Sequence, residues 1–361
     1  MKPGEFAIIG SVGVPAKYGG FETLAENLVK YHALGSPRPL VVYCSAENYP
    51  VREDRYLTAR LRFVPFSANG IQSIAYDIFS LISALQHGAS VILVLGVSGA
   101  IMFPLVRLFS STRIVTNIDG IEWRRKKWRG LAKVFLRFSE KIAVRFSHDV
   151  ISDNDVIAQY VKDTYGKDSH VIAYGGDQSS GVSEISVAEY DFPSSHALSI
   201  CRIEPENNVD MILDVFSRTD ATNLVIVGNW SGSDYGRVLR EKYSQYSNIR
   251  LVDSIYDLGK LKTLRSRASF YVHGHSAGGT NPSLVEAMHS GRPVFAFDCD
   301  YNRNTTENRA FYFGNGEELR NLIASPKQCD LEKVGRDMME IANRRFTWRV
   351  ITEQYFALLF K

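Results

Sequence analysis

The sequence predicts an α/β protein of two Rossmann-like, doubly wound parallel-sheet domains, and three observations carry that expectation. Short apolar runs of strand length alternate with helical patterns from end to end. The alternation pauses at residues 175–186, a polar stretch rich in glycine and serine that reads as a linker, and then resumes. A length of 361 residues with 45% hydrophobic content exceeds one ordinary domain and suffices for two cores. Such alternation gives parallel sheets covered by helices on both faces. Two such units facing a cleft would bind ligands at the carboxyl ends of their strands.

In chain order, strands are expected at 6–10, 40–44, 62–65, 91–95, 113–117, 149–152 and 170–172, and again at 197–201, 223–228, 249–252, 269–272 and 293–297. The domains are therefore expected at 1–180 and 181–345, with a closing amphipathic helix in 346–361 that packs back on the first domain. The first strand ends in Gly10-Ser-Val-Gly13, which lacks the dinucleotide-binding spacing, and the second ends in Tyr43-Cys44-Ser45 with no acidic residue for a ribose. Hydride transfer is disfavoured on both counts. A long loop through Lys17, Gly19 and Gly20 follows instead, offering backbone N–H groups at the start of a helix over 21–31. Residues 89–106 carry no charge and approach the length of a membrane span, but Gly96, Gly99 and Pro104 divide them into a strand and a short helix. The apolar run 6–10 is too short for a secretory signal, and Cys44, Cys201, Cys299 and Cys329 show no disulfide or metal spacing, which favours a reducing compartment. A net charge of +3 gives no reason to expect nucleic acid as a partner.

Residues 268–294 carry the chemistry. An apolar run ends at His273 and leads through Gly274, His275, Gly278, Gly279 and Thr280 to Asn281, a favoured N-cap, and Pro282, suited to the first helical position. Glycines let the backbone approach a ligand closely, and the helix start attracts an anion. Glu286, a little over one turn in, can accept hydrogen bonds from sugar hydroxyls but would repel phosphate. Phosphate at the tip and ribose beside it fit a nucleotide. Alone, the segment also fits an ordinary capped helix with a solvated glutamate.

Three motifs in order, 15–22 (Pro-Ala-Lys-Tyr-Gly-Gly-Phe-Glu), 119–124 (Asp-Gly-Ile-Glu-Trp-Arg) and 273–286, resemble those of GT-B glycosyltransferases of the large retaining family 4. More narrowly, the chain is similar to bacterial rhamnosyltransferases that build capsule, O-antigen and cell-wall polysaccharides. The resemblance spans nearly the whole chain. It implies a nucleotide-sugar donor, dTDP-rhamnose or alternatively a UDP-hexose, no cofactor, and a polyprenyl-diphosphate-linked saccharide acceptor. It also implies an enzyme held peripherally at the cytoplasmic face of the cell membrane. Glu286 matches the ribose-binding glutamate of the family's paired motif and Arg202 the arginine that neutralises the donor diphosphate, while Asp119 stands where such enzymes face a sugar. Asn229, after the strand 223–228, joins the expected donor contacts.

Two departures stand out. The first glutamate of the paired motif would fall at Gly278, and the lysine that many relatives carry shortly after Arg202 is missing. His273, His275 or Lys17 is expected to compensate for that cation. Without the carboxylate there is no evident double-displacement nucleophile, which points to a front-side retaining mechanism. A binding protein without catalysis is the competing reading from another class. Asp298-Cys299-Asp300 has the spacing by which a different transferase fold holds a divalent cation. In a fold that uses helix ends and arginine, a turn role is expected there and no metal.

The strongest charge feature is Glu122, Trp123, Arg124, Arg125, Lys126, Lys127, Trp128 and Arg129, continued at four-residue spacing by Lys133, Arg137, Lys141 and Arg145. On a helix this basic stripe lies beside Leu131, Val134, Phe135, Phe138 and Ile142. The pattern suits an anionic membrane surface and equally a solvated face over an ordinary core stripe.

Overall fold

The computed structural model describes residues 4–17, 19–36, 38–118, 120–124, 130–190, 192–193, 195–219, 222–324 and 327–361. The chain forms two α/β units, Met1–Ala173 with Ile351–Lys361, and Tyr174–Val350.

The first unit runs β1 (Glu5–Ile9), α1 (Gly20–His32), β2 (Leu40–Ser45), β3 (Arg55–Tyr56), β4 (Ala59–Val64), α2 (Gln72–Gln86), β5 (Ala89–Leu95), α3 (Phe103–Phe109), β6 (Arg113–Asn117), α4 (Gly130–Phe146), β7 (Asp149–Ser152), α5 (Asp155–Tyr165) and β8 (His170–Val171). Its sheet order is β3-β4-β2-β1-β5-β6-β7-β8, parallel except where the two-residue β3 meets β4. Phe6, Ala7, Ile8 and Ile9 are all buried, as a strand covered on both faces requires.

The second unit runs β9 (His196–Ile200), α6 (Val209–Ser217), β10 (Asn223–Val227), α7 (Asp234–Tyr243), β11 (Ile249–Val252), α8 (Leu258–Arg267), β12 (Phe270–His273), α9 (Pro282–Met288), β13 (Val294–Phe297), α10 (Asp300–Thr305), β14 (Phe311–Phe313), α11 (Gly316–Ala324), α12 (Gln328–Arg345) and the start of α13 (Trp348–Leu359). Its sheet is wholly parallel in the order β11-β10-β9-β12-β13-β14. The core gathers Phe216, Trp230, Phe295 and Phe313, with the Trp230 indole donating to the Val252 carbonyl at 2.9 Å. From Ile351 onward α13 belongs to the first unit, where the Asn117 amide donates to the Tyr355 hydroxyl at 2.6 Å and Arg113 to the Leu358 carbonyl at 2.8 Å.

The expected linker is corrected in its first residues. Gly176 passes so close to α9 that a Cβ there would lie 2.7 Å from the Val285 carbonyl carbon, and its N–H donates to the Phe346 carbonyl at 2.8 Å. Glycine serves close packing at this point, not a loose hinge.

Candidate functional site

In the second unit the connections from β9 and β12, neighbours in the sheet, leave in opposite directions, which makes the crevice at their carboxyl ends the topological switch point. The two strands pair only as far as Leu198 and Tyr271. Beyond that the Tyr271 hydroxyl fills the gap, donating to the Ile200 carbonyl at 3.0 Å and accepting its N–H at 3.2 Å. Arg202 follows β9 and His273 ends β12, so both expected donor-site segments flank this one crevice.

The loops beyond the strands are laced together. Asn207 donates through Nδ2 to the Arg202 carbonyl at 2.7 Å and meets His275 Nδ1 through Oδ1 at 2.7 Å. With Oδ1 the acceptor, that pattern assigns the proton to His275 Nδ1. Asn208 donates to the Gly274 carbonyl at 2.8 Å, and the Ser276 N–H and hydroxyl both reach the Glu206 carbonyl at 2.9 Å. Arg202 itself stands exposed, its nearest carboxylate Glu204 at 3.9 Å. A forked cation so placed is open to phosphate oxygens.

His273 is buried, and its Nε2 has no hydrogen-bond partner among the described residues. Burial holds its pKa well below the usual range, with His275 adding in the same direction. The ring is therefore neutral at pH 7 and offers a hydrogen bond; it does not replace the charge of the missing lysine. Lys17 is likewise occupied within the first unit, donating to the Asn48 carbonyl at 2.6 Å above the Tyr49 ring.

Gly278 has φ +109°, a conformation that L side chains rarely adopt, and a Cβ there would lie 3.3 Å from His275 Nε2. The backbone that glycine permits is thus one a glutamate would strain. Gly279 and the buried Thr280 continue to Asn281, whose side chain caps α9 by accepting the Ser283 N–H at 3.0 Å. Asn229 is exposed beyond β10, accepting from the Ser231 hydroxyl at 3.2 Å. Glu286, on α9, is held at both oxygens: Arg265 pairs with Oε2, and Gln178 donates to Oε1. Arg265 is 4% exposed, and its Nε and Nη1 have no hydrogen-bond partner among the described residues, so Glu286 is the carboxylate that pairs with its charge. A carboxylate has about four acceptor positions, so sugar hydroxyls still have lone pairs to meet.

In the first unit, Gly13 lies against Cys44, and Gly19 heads α1. Glu22, in the first turn of α1, accepts the Val12 N–H of the preceding loop at 2.7 Å, and burial raises its pKa. Gly20 opens that helix. Asp298 turns onto Arg303, which meets it through Nε at 2.5 Å and Nη2 at 2.8 Å.

Asp119 and residues 125–129 (Arg125, Lys126, Lys127, Trp128, Arg129) lie outside the described residues. Glu122, Trp123 and Arg124 form a short 3-10 turn. The Trp123 indole donates to buried Glu140 at 3.3 Å, and Arg124, Lys133 and Arg137 all stand within 5.6 Å of its ring. The apolar side of α4 is a core stripe only in part, since Phe135 and Ile142 are half-buried and the other three residues are not. The helix turns Leu136, Ser139, Glu140, Ala143 and Val144 inward, whereas Leu131, Val134 and Phe138 are 88%, 66% and 56% exposed. Neighbouring α3 exposes Leu105, Leu108 and Phe109 as well.

Sequence reasoning named Arg202, the 273–281 loop and Glu286 as candidates, but not Gln178, Asn207 or Arg265, which the structure binds to them. Polar residues in a supposed linker, a turn and a helix carry no periodic signal that would mark them.

Residues 193–333 match the family described as Glycosyl transferases group 1, and residues 4–177 the one described as Domain of unknown function (DUF1972). No curated protein matches the chain in sequence. Among solved structures, a sucrose-phosphate synthase from Thermosynechococcus elongatus superposes with TM-score 0.82 at 15% identity, covering 98% of each chain. A glycosyltransferase from Rickettsia africae ESF-5 follows at 0.73 and 12%, covering 99% of this chain and 98% of its own. An E. coli structure described as trehalose-6-phosphate bound with UDP-2-fluoro glucose gives 0.70 and 9%, covering 98% of each. Identities this low carry the fold, which is GT-B.

Proposed function

We propose that this chain, a glycosyltransferase of GT-B fold, transfers L-rhamnose from dTDP-rhamnose to a lipid-linked saccharide during synthesis of a cell-surface polysaccharide, with retention at the anomeric carbon. The observation that supports this best is the gathering of Arg202, the 273–281 loop and Glu286 about one switch point of the second unit. Arg202 would neutralise the departing diphosphate, a contribution that grows as the glycosidic oxygen takes up charge. Glu286 would hold the 3′-hydroxyl of the nucleotide's deoxyribose. As the bond from the anomeric carbon to the phosphate oxygen breaks, that oxygen accepts the proton of the acceptor hydroxyl, whose own oxygen bonds to the same face of the sugar. The glycine at 278 favours this front-side course, because no carboxylate stands there to form a covalent intermediate. A 6-deoxy sugar suits a site with fewer polar contacts.

The exposed apolar residues of α3 and α4, beside Lys133, Arg137, Lys141 and Arg145, support docking on an anionic bilayer where such an acceptor would reside. A panel of nucleotide sugars in a thermal-shift assay, then transfer to synthetic lipid-linked acceptors, tests the proposal. We expect dTDP-rhamnose to stabilise most, the product to retain anomeric configuration by NMR, and transfer to persist with chelator. Inversion in the product, or loss of transfer to chelator with rescue by manganese, would overturn the mechanism.

A further inference from the structure

We infer that Gln178 is a positioning residue for nucleotide binding, fixing the carboxylate of Glu286 and tying it to Trp348. The inference rests on the proposed role of Glu286 at the ribose and names the group that orients it. Gln178 donates through Nε2 to Glu286 Oε1 and accepts the Trp348 indole N–H through Oε1 at 3.1 Å. An indole N–H can only donate and an ionised carboxylate can only accept, so the amide has one orientation that satisfies both neighbours. Its place is fixed further along the chain. Asp177 accepts the Trp348 backbone N–H at 2.7 Å, Gly176 is bound to Phe346, and Tyr174 packs edge-on against the Trp348 ring with centroids 4.9 Å apart.

Trp348 is 2% exposed and Arg265 4%, so both anchors of this relay are immobile compared with a surface contact. Arg265 holds one carboxylate oxygen of Glu286 and Gln178 the other, which sets the plane of the carboxylate. The remaining lone pairs then point in fixed directions, the condition for meeting a sugar hydroxyl without an ordering cost on binding. The segment 174–178 and the start of α13 are the two places where the chain leaves one unit for the other, and both are bound to this amide or to its neighbours.

The test measures binding of dTDP and of 2′,3′-dideoxythymidine diphosphate to the full chain and to Gln178→Met, which keeps the length of the side chain and removes both hydrogen bonds. Binding of dTDP should weaken about tenfold, the scale of one charge-assisted hydrogen bond, while binding of the dideoxy compound stays within about twofold. Trp348→Phe, which frees the amide to turn but retains the ring packing, should reproduce the selective loss more weakly. Equal loss for the two nucleotides, or no loss for either, overturns the positioning role. A wild-type chain that binds neither dTDP nor UDP overturns instead the underlying reading of Glu286. Should Gln178→Met fail to fold, Trp348→Phe alone decides by the same difference between the two nucleotides.

Discussion

The two units share an architecture and differ in what they leave uncovered. Among the described residues, thirteen large hydrophobic side chains stand exposed in the first unit and only five in the second. The second unit concentrates polar atoms instead, where Asn207, Asn208, His275 and Ser276 close the loops about its switch point. A small polar ligand needs the latter and an extended apolar surface needs the former. The proposed donor binding thus falls in one unit and the proposed docking in the other, and substitutions in each should fail in different ways.

The largest effect is expected at Glu286→Ala. It strands the buried Arg265 guanidinium, which has no other ion-pair partner among the described residues, and should destabilise the second unit by about 3–5 kcal/mol. Thermal melts and hydrogen exchange in peptides of 174–350 would report it, along with loss of nucleotide binding. Joint replacement of Arg265 by Met and Glu286 by Leu should recover most of the stability but none of the binding. Recovery of binding would separate Glu286 from the ligand. Next comes Gly278→Glu, which restores the residue expected of the paired motif. With φ at +109° it should cost about 1–3 kcal/mol and give no gain in transfer. A gain would show that the carboxylate, not the backbone, was what the site lacked.

In the first unit the sign of the comparison reverses. Phe138→Ser should leave stability nearly unchanged in thermal melts, within about 0.5 kcal/mol, because the ring is already exposed. It should weaken co-sedimentation with anionic liposomes by about 1.5–3 kcal/mol, roughly tenfold or more. Lys141→Glu should add a loss that high salt masks. Liposome binding indifferent to Phe138, to salt and to anionic lipid would leave the exposed face to a protein partner.

The difference between the units also marks what a sequence can disclose. Strands β6, β7 and β11 fall at the expected residues because short clusters of β-branched and apolar residues between polar punctuation leave little choice. The cap of α9 was legible for the same local reason, since Asn281 and Pro282 act within one turn. Helix α4 shows the limit. Periodicity groups Leu131, Val134 and Phe138 on one side but does not say whether that side meets the core, and here Ser139 and Glu140 go inward. The Ser139 hydroxyl donates to the Val97 carbonyl at 2.5 Å, and Glu140 accepts from the Tyr160 hydroxyl at 2.7 Å and the Tyr165 hydroxyl at 2.6 Å. These partners pay for the polar burial, and none is near in sequence. The contact between Gln178 and Glu286 spans 108 residues and was equally invisible.

Acid should separate the units most gently, through one buried group in each. Asp77, on α2, is buried and its pKa is raised to about 7, with the Gly99 N–H at 3.1 Å opposing the shift. The folded first unit therefore holds a proton that the unfolded chain has released, so this contribution is complete below about pH 4 and is lost as pH rises through 7. His273 works oppositely. Its folded pKa is depressed, so the unfolded chain binds the extra proton, and stability from this group falls as pH drops below about 6.5. Hydrogen exchange read separately in 4–173 and 174–350 should then show the first unit losing and the second gaining protection between pH 5.5 and 7. Asp77→Asn keeps an acceptor for Gly99 and should flatten the first slope only, while His273→Gln should flatten only the second. Parallel slopes in the two units would show that other titrating groups outweigh this pair.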